Sequence, residues 1–110
     1  MRRLYFFKGG LCDACEEQEP AVQAFERKHI GSVMVLRLNP NLKAYELPFA
    51  RGRGRSRDRT VRLTPSFALY ENQTPLRQSE GRIFTLDELE TFVFDDEAQQ
   101  PTDAPQPGAA

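Results

Sequence analysis

Gly9-Gly10-Leu11-Cys12-Asp13-Ala14-Cys15 joins the apolar run Leu4-Tyr5-Phe6-Phe7 to a helical pattern, and it holds both cysteines of this 110-residue chain. A Cys-x-x-Cys pair at a strand-to-helix junction has a specific chemical use. Cys12 falls at the N-cap, where unpaired N–H groups and the positive end of the helix dipole favour a thiolate. Cys15 follows one turn later, on the inward side. Cysteines so placed can close a small disulfide ring and reopen it, the chemistry of thiol-disulfide exchange.

Upstream, Leu4 to Phe7 reads as a buried strand of large apolar residues, ended by Lys8-Gly9-Gly10, whose glycines allow a tight turn that leaves the Cys12 sulfur uncovered. Downstream, Cys12 to about Lys28 is helical. Cys15, Val22 and Phe25, with Ala21 and Ala24 beside them, form the apolar stripe, while Glu16, Glu17, Gln18, Gln23, Glu26 and Arg27 are expected to face water. Pro20 predicts a kink near residues 16 to 20 in one helix, not two helices. Val33 to Leu38 is a second strand, with Val33, Val35 and Arg37 on one face; strand, helix and strand make a βαβ unit with parallel strands.

The chain then changes character. Asn39-Pro40-Asn41 is a turn, Leu42 to Leu47 is expected to form about one helical turn, and Pro48 stops it. A basic stretch follows, with Arg51, Arg53, Arg55, Arg57, Arg59 and Arg62 separated mainly by glycine and serine. Thr64-Pro65 introduces a strand at Ser66 to Glu71, Asn72 to Pro75 is a turn, and Leu76 to Glu80 is the second arm of an antiparallel hairpin. Thr85 caps a final helix, with Glu88 completing a capping box and Leu86, Leu89, Phe92 and Val93 turned inward. The reading is one domain over residues 1–94, followed by a disordered acidic and proline-rich tail over 95–110.

A net charge of -1 provides no global attraction to nucleic acid or an acidic membrane surface, and no apolar run approaches the roughly 20 residues that span a bilayer. The apolar run after Met1-Arg2-Arg3 ends at Lys8, too short for a signal core, so a cytoplasmic location is expected. There a lone close cysteine pair points to catalysis, redox sensing or metal binding before a structural bridge.

The order βαβ, connector, ββα, with Cys-x-x-Cys at the first strand-helix junction, resembles the thioredoxin superfamily over about residues 3 to 94. Pro20, five residues beyond Cys15, is similar to its helix-kinking proline; Leu36-Arg37-Leu38-Asn39 resembles the end of its next strand; Thr64-Pro65 resembles its cis-proline site; Gly81 and the Thr85 helix resemble its last strand and helix. The resemblance implies an α/β fold: a four-stranded mixed sheet flanked by helices, its middle helix short or replaced by the arginine-rich loop. It also implies a protein-disulfide oxidoreductase. Cys12 would be the attacking nucleophile and Cys15 the resolving thiol, and Leu11, Asp13, Thr64 and Pro65 would border the substrate. The partners implied are a disulfide-containing protein and a cellular thiol reductant or reductase, with no cofactor and no metal.

Three departures stand out. Leu11 replaces the tryptophan usual before the first cysteine. Phe6 takes the place of a buried carboxylate in the first strand. Arg37 matches that carboxylate's basic partner, with no acid facing it from the first strand.

Other readings stay open. The cysteines could be half a zinc site, but zinc needs four ligands and His29, otherwise helix-end surface, is the one nitrogen donor left unless a dimer shares ligands. They could be an inert remnant, and Pro65 an ordinary trans proline opening an edge strand. The arginine run is either a solvated loop or an electrostatic clamp, which would make the chain a thioredoxin-fold binding module for an acidic or phosphate-bearing partner; with little aromatic interleaving beyond Phe49, nucleic acid is disfavoured.

The helix terminus favours the Cys12 thiolate by roughly 0.3 to 1 kcal/mol. Asp13, Glu16 and Glu17 oppose it. The thiol is therefore expected to be less acidic than in strong disulfide oxidants, and the couple more reducing; a Cys12 pKa below about 5 in a thiol titration would contradict this.

Overall fold

The structure is a computed structural model that describes residues 1–50 and 58–97; Arg51, Arg53, Arg55 and Arg57 of the basic run, and residues 98–110 of the expected tail, lie outside the described residues. The elements are β1 (Arg2–Phe7), α1 (Asp13–Lys28), β2 (Val33–Leu38), β3 (Ser66–Glu71), β4 (Thr74–Glu80) and α2 (Leu86–Phe94). They form one four-stranded sheet in the order β2-β1-β3-β4, with β1 and β2 parallel and the other pairs antiparallel. This is the mixed α/β sheet expected from the sequence.

Alternation along β1 sorts its side chains between two layers. Leu4 and Phe6 face the two helices, in a core with Val22 and Phe25 of α1, Phe67 and Leu69 of β3, and Leu89, Phe92 and Val93 of α2. Phe6 stacks on Phe67 with ring centroids 5.0 Å apart. Tyr5 and Phe7 point the other way, into a smaller cluster with Ala68, Leu47 and Val61.

α1 runs unbroken through Pro20. α2 starts with the capping box, the Glu88 amide donating to Thr85 Oγ1 at 3.1 Å and the Thr85 amide to Glu88 Oε1 at 3.0 Å. No basic residue stands in its last turn, and tertiary structure supplies the missing charge. Arg2 donates to the Val93 carbonyl and Arg77 to the Phe92 carbonyl, and both guanidiniums pair with Asp96. Two cations thus sit at the negative end of the helix dipole, on carbonyls that lack helical partners.

Four expectations are corrected. Leu42 to Leu47 does not form a helical turn: residues 40–42 are a turn and Glu46 then makes an isolated antiparallel bridge to Thr60, because Leu47 and Val61 bury against the helix-free face of the sheet in an extended path. β4 begins at Thr74, not Leu76. Pro75 is tolerated because β4 is an edge strand, and Asn72 takes the left-handed conformation (φ 57°) that the tight turn before it requires. His29 is not plain surface: its ring lies 4.7 Å from that of Phe25 and 4.9 Å from that of Phe94, and its Nε2 is 2.8 Å from Glu90 Oε2, joining the two helices.

The fourth concerns Gln18, expected to face water and in fact fully buried. Its amide donates to the Phe84 carbonyl at 2.9 Å and accepts from the Phe84 amide at 2.7 Å, tying α1 to the segment before α2. Replacing it by leucine leaves two buried backbone groups unpaired, at about 1 to 3 kcal/mol each. Gln18→Leu is expected to destabilise the fold by about 2 to 6 kcal/mol, seen as a lower urea midpoint with an unchanged slope.

Candidate functional site

Cys12 has extended backbone (φ −146°, ψ 101°) and caps α1 with its sulfur, which accepts a hydrogen bond from the Cys15 amide at 3.1 Å. The two cysteines are joined as a disulfide, with their Cα atoms 5.2 Å apart. Their environments differ: Cys15 is 0% exposed, whereas Cys12 is only half-buried. An attacking group can therefore reach one sulfur of the pair far more easily than the other.

The loop before β3 reaches this pair from across the sheet. The Thr64 hydroxyl lies 3.4 Å from Cys12 Sγ and can donate to it, and the Thr64 carbonyl oxygen lies 3.7 Å away, within reach of an S–H donor once the bridge is reduced. The Thr64–Pro65 bond is cis and Pro65 is buried. Two further bonds hold this loop: the Gly81 amide donates to the Pro65 carbonyl at 2.8 Å, and the Ser66 hydroxyl to the Leu63 carbonyl at 2.6 Å. Gly9 permits the close approach, since a Cβ there would lie 3.2 Å from Thr64 Oγ1 and 3.3 Å from Asn41 Nδ2. Sequence reading gave Gly9 a role in the turn and missed this contact.

Around the sulfur the rim is apolar and acidic. Leu11 is fully exposed beside Cys12, Leu63 half-exposed beside Thr64, and Asp13 exposed on the first turn of α1. Arg37, expected to lack an acid facing it from β1, finds two on α1: Glu19 at 2.6 Å and Glu26 at 3.1 Å. Lys8 also binds Glu19, at 2.9 Å. Burial pushes the Glu19 carboxyl up, but hydrogen bonds from Arg37 and Lys8 outweigh it and hold the group below its ordinary 4.5. Glu19 is thus a fixed negative charge at neutral pH, one helical turn beyond Cys15. The signal for it was the i, i+4 spacing from Cys15, which sequence reading passed over.

Of the other predicted residues, Arg59 pairs with Glu46 at 3.3 Å and Arg62 with Asp58, so these two arginines are held by local carboxylates. His29 caps the far end of the 16-residue helix α1, about 24 Å from the cysteines, and does not complete a metal site with them. Among the described residues no group of three or more His, Cys, Asp or Glu side chains is placed to hold a metal ion, and no helix is long and apolar enough to cross a membrane.

Solved structures provide the comparison. A malarial protein superposes with a TM-score of 0.67 at 12% identity, over 88% of this chain and 98% of that one. Thioredoxin-2 of the malaria parasite, described as a component of its protein secretion machinery, gives 0.61 at 13% identity, over 84% and 80%. The germline-specific thioredoxin Deadhead of Drosophila melanogaster gives 0.58 at 17%, over 83% and 76%. No family model matches the sequence, and no curated protein sequence does. The chain has the thioredoxin-like fold.

The unequal burial of the two sulfurs has a direct chemical readout. After reduction, iodoacetamide is expected to modify Cys12 at least about tenfold faster than Cys15, measured by peptide mass spectrometry of a time course; equal rates would mean that the two thiols are equally open.

Proposed function

We propose that the chain is a thiol-disulfide oxidoreductase that exchanges a dithiol for a disulfide in protein substrates. The observation that carries this reading is the accessible Cys12 sulfur, bridged to a buried Cys15 and contacted by Thr64. In the reduced chain the Cys12 thiolate attacks one sulfur of a substrate disulfide. A Cys12–substrate bond forms, the substrate S–S bond breaks, and the departing thiolate takes a proton from water. The Cys15 thiolate then attacks Cys12 Sγ, its own proton having passed to solvent. The Cys12–substrate bond breaks, the second substrate sulfur leaves as a thiolate that takes a proton from water, and the Cys12–Cys15 disulfide is restored. Two electrons move from the chain to the substrate, and a cellular dithiol reductant returns them.

Three features support this division of labour. The Cys15 amide and the Thr64 hydroxyl both point hydrogen bonds at Cys12 Sγ, which favours its thiolate over its thiol. Leu11 and Leu63 offer apolar surface on either side of the sulfur. The backbone at Leu63 and Thr64 gives a substrate peptide an edge to lie along. A reducing compartment such as the cytoplasm would keep the pair in its dithiol form and set the direction toward substrate reduction.

The test is reduction of insulin, followed by turbidity, with dithiothreitol as electron source. The chain should accelerate the reaction, and Cys12→Ser should return it to the rate of dithiothreitol alone. Cys15→Ser should keep the first step and accumulate a mixed disulfide visible by mass spectrometry. A Cys12→Ser variant as fast as the unaltered chain would sink the proposal.

A further inference from the structure

The two edges of the sheet are built differently. At one edge β4 carries Pro75 and its pairing with β3 shifts register between Leu69 and Tyr70, features that discourage a further strand from adding there. At the other edge β2 has neither: its six residues, Val33-Met34-Val35-Leu36-Arg37-Leu38, pair with β1 without interruption. Its one charge, Arg37, is held by Glu19 and Glu26 of α1 and so does not guard the edge. Among the described residues no strand lies on the outer side of β2. Apolar side chains stand along it: Met34 is 45% exposed and Ile30 80%, and with Met1, Val33 and Val35 they border a groove of about 260 Å³.

The backbone fixes which groups this edge offers. The Lys8 amide donates to the Leu38 carbonyl at 2.8 Å, and Leu38 sits opposite Phe7 in the parallel register. In such a ladder the N–H and C=O of one residue point to the same side, and the side alternates along the strand. Met34, Leu36 and Leu38 therefore direct theirs at β1, while Val33, Val35 and Arg37 turn theirs outward. The Val33 amide is already engaged, donating to the His29 carbonyl at 3.1 Å. The outer edge is left with the Val33 carbonyl and both polar groups of Val35 and Arg37. This set is complementary to itself. When two copies run antiparallel about a twofold axis at Val35, the two Val35 residues exchange two hydrogen bonds, and each Arg37 amide donates to the other copy's Val33 carbonyl. All four bonds form without disturbing the one from Val33 to His29.

We propose that the chain forms a homodimer through β2, an antiparallel pairing centred on Val35 that joins two four-stranded sheets into one. The register keeps like faces together. On the face without helices, which Leu38 shares, Met34 lies directly opposite the partner's Leu36 and Leu36 opposite the partner's Met34, in non-hydrogen-bonded positions where side chains come closest. On the helix-covered face Val35 meets the partner's Val35, and the stem of Arg37 lies beside the partner's Val33. The Arg37 guanidinium keeps its two carboxylates there, so no unpaired charge is enclosed. The axis at Val35 is three residues, about 10 Å, from the Leu38 end of the strand, beside which the cysteine loop begins. The two Cys12 sulfurs thus point to opposite ends of the joined sheet, and both stay open. One strand edge is a narrow contact beside that of an obligate dimer, so the association is reversible and of about micromolar strength.

The experiment follows the full chain, with its disulfide closed, by analytical ultracentrifugation over roughly 1 µM to 1 mM. The mass should rise toward twice that of one chain. Amide hydrogen exchange then reads the register: the Val35 and Arg37 amides should exchange at least about tenfold more slowly at the high concentration than at the low, whereas the Leu36 and Leu38 amides, bonded to β1, should exchange alike at both. Met34→Lys, a change at an exposed side chain, should weaken association at least about tenfold and leave the urea midpoint of the diluted chain unchanged. Val35→Pro, which removes an amide that β1 does not use, should abolish the dimer. A single-chain mass over the whole range overturns the proposal, as does association undiminished by Met34→Lys. So does a dimer whose Val35 and Arg37 amides exchange as fast as those of the diluted chain, which would put the contact on another surface.

Discussion

The antiparallel register of β1 and β3 is the constraint on which the site depends. Pairing Phe7 with Ser66 brings the chain leaving β1 next to the chain entering β3. Residues 8 to 12 and residues 63 to 65 are far apart in sequence yet share one end of the sheet, so the Thr64 hydroxyl meets the Cys12 sulfur. A shift of one residue would turn Phe6 and Phe67 out of the helix-facing core as well as separating the two loops, so the apolar pattern that builds the core also fixes the site.

The two faces of the sheet are stabilised in different ways. One is covered by two helices held by stacked aromatics, by the Gln18 link to Phe84, and by the His29 contacts at the far end of α1. On the other, the segments bridged at Glu46 and Thr60 contribute Leu47, Val61 and Tyr45. Among the described residues a groove lined by Tyr5, Tyr45 and Tyr70 stays open on this face. The clamp of Arg2 and Arg77 on the end of α2 ties the last helix to β1 and β4.

Much of this was legible before any coordinates. The strands announced themselves by runs of apolar and β-branched residues, α1 by its stripe at Cys15, Val22 and Phe25, and α2 by its Thr85 and Glu88 box. These are local signals, set by the backbone's own hydrogen bonding and by periodic burial. The misreadings share one cause. Gln18 and His29 are polar, and polarity alone assigns a residue to water; each in fact meets a group from another element, which composition cannot disclose. Leu42 to Leu47 misled in a similar way: its short apolar spacing fits one helical turn, but burying Leu47 against the sheet required extended chain.

Sequence by itself determined the order of elements, the alternation that divides β1 between two layers, and the presence of two cysteines at the start of a helix, because each follows from interactions between near neighbours in the chain. Tertiary structure alone decided that Thr64 stands over Cys12, that Glu19 and Glu26 supply the acids for Arg37, and that one face of the sheet keeps an aromatic groove. Those outcomes depend on strand register and on which element covers which face, and both are fixed only when distant segments compete to bury the same apolar surface.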